Sequence, residues 1–186
     1  MRKILCAFSA VLAGALLGGC LAKSAKPYTY YELKYDQRHC AAKSNSRKNI
    51  YIESVTATNL VDRRDILIVD WKSRTRYASD AKYITMPSEM LYKALIDAAF
   101  STCALNPIFV PQERDLRLKT TLITLQVDGD HAKITIGYEF LNAVQSIKSG
   151  VITKRVFVPD PSSQSIYNAT NSALNLAIDE ILKAIQ

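Results

Sequence analysis

Histidine is scarce in this sequence, with His39 and His131 as the only two among 186 residues. A zinc site built on His39 and Cys40 would lack further ligands, because the sequence has no paired-cysteine spacing. The motifs G-x-x-x-x-G-K-[ST], G-x-S-x-G and H-E-x-x-H are also absent, which argues against nucleotide hydrolases, serine hydrolases and zinc proteases. The sequence therefore predicts a protein that is not an enzyme and that has no metal or cofactor.

Long apolar runs are confined to the start of the sequence. Arg2 and Lys3 precede an apolar stretch over 4–17, and Leu17-Gly18-Gly19-Cys20 closes it. The stretch is too short to span a bilayer, and small residues before a cysteine are typical of a bacterial lipoprotein signal. We predict a signal peptide over 1–19 and acylation of Cys20, which would attach the mature chain to membrane lipid outside the cytoplasm.

Positive charge is concentrated next to this cysteine. Residues 21–48 contain seven bases and two acids, a net charge of +5, whereas 49–186 contain fifteen of each. The predicted basic tether over 20–27 would lie against anionic headgroups or would be a solvated linker, and the residues leave both alternatives open. A neutral body offers nucleic acid no basic surface, so we predict no nucleic-acid partner.

Two more cysteines, Cys40 and Cys103, follow Cys20 in the mature sequence. In an oxidising compartment they would form a disulfide bond whose constraint on the unfolded chain is about 4 kcal/mol. The alternative is a buried Cys103 near a helix end and a free Cys40 thiol in a loop. The sequence does not choose between them, because disulfide geometry cannot be read from spacing.

Residues 28–186 are predicted to form one periplasmic domain of the α+β class. Helices are indicated from Pro87 to Cys103 and from Ser162 almost to the last residue. Strands are indicated over 28–35, 50–56, 66–71, 75–78, 108–110, 116–127, 132–140 and 151–158, the last four as an antiparallel set. The expected architecture is a two-layer sandwich, in which both helices pack on one face of a mostly antiparallel sheet.

The charged segment Asp62-Arg63-Arg64-Asp65 connects two of these strands. It is the best candidate for a partner-binding surface, because loops and exposed arginines often carry recognition. The same residues also suit an ordinary solvated turn. Trp71, the only tryptophan, fits the core better than a partner contact.

Four features together resemble the ABC-type transport auxiliary lipoproteins. They are the Cys20 motif, the strand Tyr28-Thr29-Tyr30-Tyr31-Glu32-Leu33, the segment Val61-Asp62-Arg63-Arg64-Asp65-Ile66-Leu67-Ile68 and the helix that begins at Pro87. The resemblance implies a non-catalytic auxiliary component of an ABC lipid transport system between the inner and outer membranes. It further implies an MCE-domain protein and an MlaE-like permease complex as partners, and phospholipid as cargo.

Two other functions stay open: an outer-membrane assembly or stabilising lipoprotein, and a stand-alone periplasmic lipid-binding module. Leu21 stands where an aspartate would retain a lipoprotein at the inner membrane of enteric bacteria. The resemblance therefore implies a lipid anchor in the outer membrane with the domain facing the periplasm, and inner-membrane anchoring is the alternative.

Overall fold

The structure, a computed structural model, describes residues 27–36, 47–143 and 145–185. The predicted signal peptide, Cys20 and Cys40 lie outside these ranges. The strands are β1 (Thr29–Tyr31), β2 (Lys48–Ile52), β3 (Thr56–Ala57), β4 (Asp65–Val69), β5 (Thr75–Tyr83), β6 (Leu105–Ile108), β7 (Leu116–Asp128), β8 (His131–Asn142) and β9 (Gln145–Phe157). The helices are α1 (Pro87–Ser101) and α2 (Ser163–Lys183). None of the helices in the described ranges combines the length and apolarity that a membrane span requires.

The sheet is built around the long antiparallel meander β7–β8–β9. Along its other edge β7 pairs in turn with β2, β3 and β4, all parallel to it. Beyond these, β5 pairs antiparallel with β4 and parallel with β1, while β6 pairs parallel with β2. Most paired residues belong to the antiparallel ladders, so the predicted mostly antiparallel sheet is confirmed.

Both helices cover the same face of this sheet. α2 lies over β8 and β9, α1 lies over β2 and β6, and the two helices contact each other. The layers meet in one apolar core whose largest fully buried members include Phe140, Ile50, Leu95, Ile136 and Leu174. The predicted two-layer α+β sandwich is therefore confirmed.

Several strand predictions need correction. β6 spans Leu105–Ile108 and is parallel to β2, whereas the sequence suggested an antiparallel strand over 108–110. Pro107 lies within β6, which among the described strands pairs with β2 alone, and an edge strand tolerates a residue without an N–H group. β5 continues to Tyr83 and β9 already begins at Gln145, so both strands are longer than predicted. The sequence did not indicate the start of β9, because the exposed residues there show no apolar alternation.

β1 is shorter than predicted because the residues after it bind to α2 instead of to a strand. The Lys34 N–H donates to Asn171 Oδ1 over 2.8 Å, and the Asp36 N–H donates to Asn175 Oδ1 over 2.7 Å. Asn175 Nδ2 in turn donates to the Lys34 carbonyl over 3.0 Å, and Tyr35, between Lys34 and Asp36, is buried. We call Asn171 and Asn175 the asparagine clamp, since they hold residues 34–36 against the last helix.

Candidate interaction surface

Asp62 is half-buried and caps α1. Met86, at the N-cap position of α1, makes no capping hydrogen bond with its side chain. Instead, Asp62 Oδ1 accepts the Ser88 N–H and Asp62 Oδ2 accepts the Ser88 hydroxyl, each over 2.9 Å. A carboxylate satisfies the free N–H groups of the first turn and complements the positive end of the helix dipole. The connector is thereby fixed to α1.

Replacement of Asp62 by alanine is expected to lower the free energy of unfolding by about 1–2 kcal/mol, the usual cost of losing a helix cap. Asp62→Asn keeps an acceptor for the Ser88 N–H and should lose less. Urea denaturation followed by far-ultraviolet circular dichroism measures both. If Asp62→Ala were as stable as the unsubstituted protein, the capping role would be wrong.

Arg63 and Arg64, the next two residues, each lie over a tyrosine ring. The Arg63 guanidinium carbon lies 5.4 Å from the centre of the Tyr77 ring, and that of Arg64 lies 5.3 Å from the centre of Tyr30. Arg64 Nε also donates to the Tyr83 carbonyl over 3.1 Å. Cation–π contacts of this kind contribute about 0.5–1 kcal/mol at exposed sites and hold the cation in one place. Both arginines are therefore positioned before any partner arrives.

Lys82 and Asp65 complete the arrangement. Lys82 Nζ lies 4.6 Å from the centre of the Tyr28 ring and 3.0 Å from Asp65 Oδ1. The hydrogen bond to Asp65 raises the pKa of the Lys82 ammonium, because it favours the charged form. Asp65 Oδ2 also lies 3.7 Å from the Arg63 guanidinium.

We call this group the tyrosine–cation cluster; it consists of Arg63, Arg64, Lys82, Tyr28, Tyr30 and Tyr77. Its three tyrosines are 41–52 % exposed, and Asp65 is the acid that balances part of its positive charge. The cluster lies on the face of the sheet away from the helices, because Tyr77 and Lys82 pair with Leu67 and Asp65, which alternate with the core residues of β4. Such a surface suits an acidic or aromatic partner group.

The structure thus separates the four residues predicted as a partner-binding segment. Arg63, Arg64 and Asp65 lie together at the surface, whereas the Asp62 carboxylate is used by α1. Sequence reasoning missed the tyrosines as site residues. The spacing of Tyr28 and Tyr30 by two places them on one face of a strand, and this signal could have indicated them. The contacts of these tyrosines with the connector depend on β5, which lies between β1 and β4 and is longer than the predicted strand over 75–78.

Trp71 was predicted to lie in the core, and this prediction is wrong. The side chain is 75 % exposed in the turn between β4 and β5. Its ring covers Gly129, whose φ of +65° and missing side chain allow the close approach. The ring thus packs on the neighbouring turn and not between the layers.

Cys103 is disulfide-bonded. Because Cys40 lies outside the described residues, the pairing of Cys40 with Cys103 stays a prediction, as does acylation of Cys20. In the described ranges no three metal-ligating side chains are grouped as a metal site would require.

No protein-family model matches the chain, and no curated protein matches it. Solved structures do. A DUF330 protein from Xanthomonas campestris superposes with a TM-score of 0.73 at 14 % identity, over 83 % of this chain and 92 % of that one. This chain has a DUF330-like fold.

Two further structures resemble this DUF330-like fold. One, described as an uncharacterized protein, has a TM-score of 0.73 at 10 % identity, over 86 % of this chain and 99 % of its own. A hypothetical protein from Chlamydia trachomatis has a TM-score of 0.50 at 8 % identity, over 75 % of this chain and 96 % of its own. At these identities the similarity establishes the fold.

Proposed function

We propose that this protein is a membrane-anchored periplasmic lipoprotein that serves as a non-catalytic auxiliary component of an MCE-type ABC lipid transport system. Cys20 would carry the lipid, in the outer membrane. The folded domain would contact an MCE-domain protein and its MlaE-like permease complex while phospholipid passes between the membranes. The Cys20 motif and the family resemblance in the sequence support this role, and the DUF330-like fold is compatible with it.

The observation that carries the proposal is where the three resembling segments of the folded domain meet. They are distant in sequence, yet Arg64 of the connector lies over Tyr30 of β1, and Asp62 of the connector caps α1 at Ser88. Residues on which a resemblance rests are most informative when they build one exposed surface. β1 and the connector build such a surface, the tyrosine–cation cluster, in which arginines and tyrosines, both common at interface hot spots, are held in fixed positions, while α1 holds the connector through Asp62.

The packing of the core favours this role over a lipid-binding module with an internal pocket. Phe140, Ile136 and Leu174 between the sheet and the helices are each less than 2 % exposed. Space for a ligand is found in surface clefts of about 370–570 Å³. A phospholipid would have to displace well-packed side chains to enter between the layers.

The test is an affinity purification of the tagged, lipidated protein from detergent-solubilised envelopes, with partners identified by mass spectrometry. We expect recovery of an MCE-domain protein with its permease. Arg63→Ala/Arg64→Ala should reduce this recovery by tenfold or more, since truncating a hot-spot arginine costs about 2 kcal/mol.

Arg114→Ala/Lys119→Ala is the matched control, because it removes two exposed cations elsewhere on the domain and should leave recovery unchanged. Recovery of only a β-barrel protein would contradict the proposal and favour an assembly factor. Recovery of no partner would favour a stand-alone lipid binder.

A further inference from the structure

The exposed Trp71 is held in a fixed position by the turn that carries it. The Asp70 carboxylate accepts the backbone N–H groups of Lys72 and Arg74, each over 2.9 Å, and pairs with the Arg74 guanidinium at 2.7 Å. The Gly129 N–H donates to the Val69 carbonyl over 2.9 Å, which joins this turn to the β7–β8 turn beneath the indole ring. The indole ring of Trp71 is therefore both exposed to solvent and fixed in position by the hydrogen bonds of its turn.

Phe157 adds a second exposed ring at the same end of the sheet. It is 57 % exposed at the end of β9, where it pairs in register with His131, two residues after Gly129. We call this region, marked by Trp71, Gly129 and Phe157, the hairpin end. Lys72 and Arg76 beside Trp71 are also exposed. Indole rings flanked by cations are typical of the headgroup region of a bilayer, where a ring can be half-buried and a cation can meet phosphate.

The position of β1 indicates that the membrane is the partner of the hairpin end. β1 is parallel to β5, so the chain enters β1 from the side of the sheet where β5 starts, and β5 starts at the hairpin end. The eight residues from Cys20 to Tyr28 span at most about 29 Å. β7 alone is thirteen residues, or about 40 Å, and β1, which is separated from β7 by β5 and β4, lies level with the half of β7 that ends at Asp128. A lipid anchor at Cys20 thus reaches the hairpin end directly, whereas the opposite end lies on the far side of the domain.

We infer that the hairpin end rests in the headgroup region of the phospholipid bilayer to which Cys20 is attached, with Trp71 as its main contact. The inference rests on the lipidation in the proposed function. It assigns an orientation to the domain: the hairpin end faces the membrane, and the end that carries Arg114 and Asn142 points into the periplasm.

Trp71 is itself the probe, because the sequence contains no other tryptophan. The lipidated full protein is reconstituted in vesicles of phosphatidylethanolamine and phosphatidylglycerol, with and without acyl-brominated phosphatidylcholine, and vesicle attachment is checked by flotation. We expect a blue-shifted Trp71 emission and a loss of intensity with the brominated lipid. The matched control is Trp71→Phe/Phe109→Trp, which moves the only indole to another exposed aromatic position, one near the opposite end. Its emission should not change.

The outcomes separate the inference from the proposed function. Flotation without quenching of Trp71, or equal quenching of both proteins, would overturn the orientation and leave the lipid anchor intact. Loss of flotation with no acyl chain on Cys20 would overturn both. Protection of Trp71 that appears only when a protein partner is added would identify the hairpin end as a protein interface and would also overturn the inference.

Discussion

Loss of the Cys20 thiol should release the protein from the membrane. We expect a Cys20→Ser variant, exported with a signal peptide that an ordinary signal peptidase removes, to appear in the soluble periplasmic extract. Each buried methylene of an acyl chain contributes about 0.8 kcal/mol to attachment, and a bacterial lipoprotein carries three chains, so the difference in partition should be close to complete. Cell fractionation with immunoblotting measures it.

Cys40→Ser, exported with the native signal, is the control. It also removes a cysteine side chain, yet the variant should stay in the membrane pellet. A high-salt wash separates acyl attachment from attraction between the basic tether and anionic lipid, because salt screens the second. Retention of Cys20→Ser after that wash would contradict acylation as the anchor.

Removal of the Phe140 ring should cost the domain a large part of its stability. Phe140 on β8 is fully buried, and its ring meets Tyr138 edge to face at a centroid distance of 5.7 Å. Phe140→Ala is expected to lower the free energy of unfolding by about 3–5 kcal/mol, because the cavity between sheet and helices cannot collapse fully. A domain of ordinary stability has about 5–15 kcal/mol in total.

Phe109→Ala makes the same substitution at a side chain that is 64 % exposed, and should change stability by less than about 0.5 kcal/mol. Urea denaturation of both variants, followed by circular dichroism, provides the comparison. Equal losses for the two would contradict the assignment of Phe140 to the core.

Local signals in the sequence predicted much of this fold. Pro87 suits the first turn of a helix, and the Ser162 side chain accepts the Ser165 N–H, so both helices begin where expected. Along β7, Leu118 and Leu122 share one parity in the sequence while Leu125 and Val127 share the other; such a change of apolar phase predicts a bulge, and the register with β8 does shift between Leu122 and Thr124. These features depend on residues close together in the chain.

What the sequence could not predict depends on distant pairings. Nothing local shows that β2, β3 and β4 follow one edge of β7 in parallel, or that Asp62 meets Ser88. The tyrosine–cation cluster was predicted only in part, since Arg63 and Arg64 were visible as charges while Tyr77 joins them through the β4–β5 register. The prediction for Trp71 was wrong because the sequence around a tryptophan does not show whether its ring is buried in the core or packs on a glycine of a neighbouring turn.

Under the proposed function, the asparagine clamp would set the order in which the exported chain folds. Residues 34–36 would leave the cytoplasm near the beginning of translocation, yet their partners Asn171 and Asn175 lie 137 to 141 residues later. Residues 34–36 therefore could not dock until the last helix had crossed the membrane. An acylating enzyme would then act on Cys20 before the clamp closes, and closure of the clamp would mark the completion of the domain.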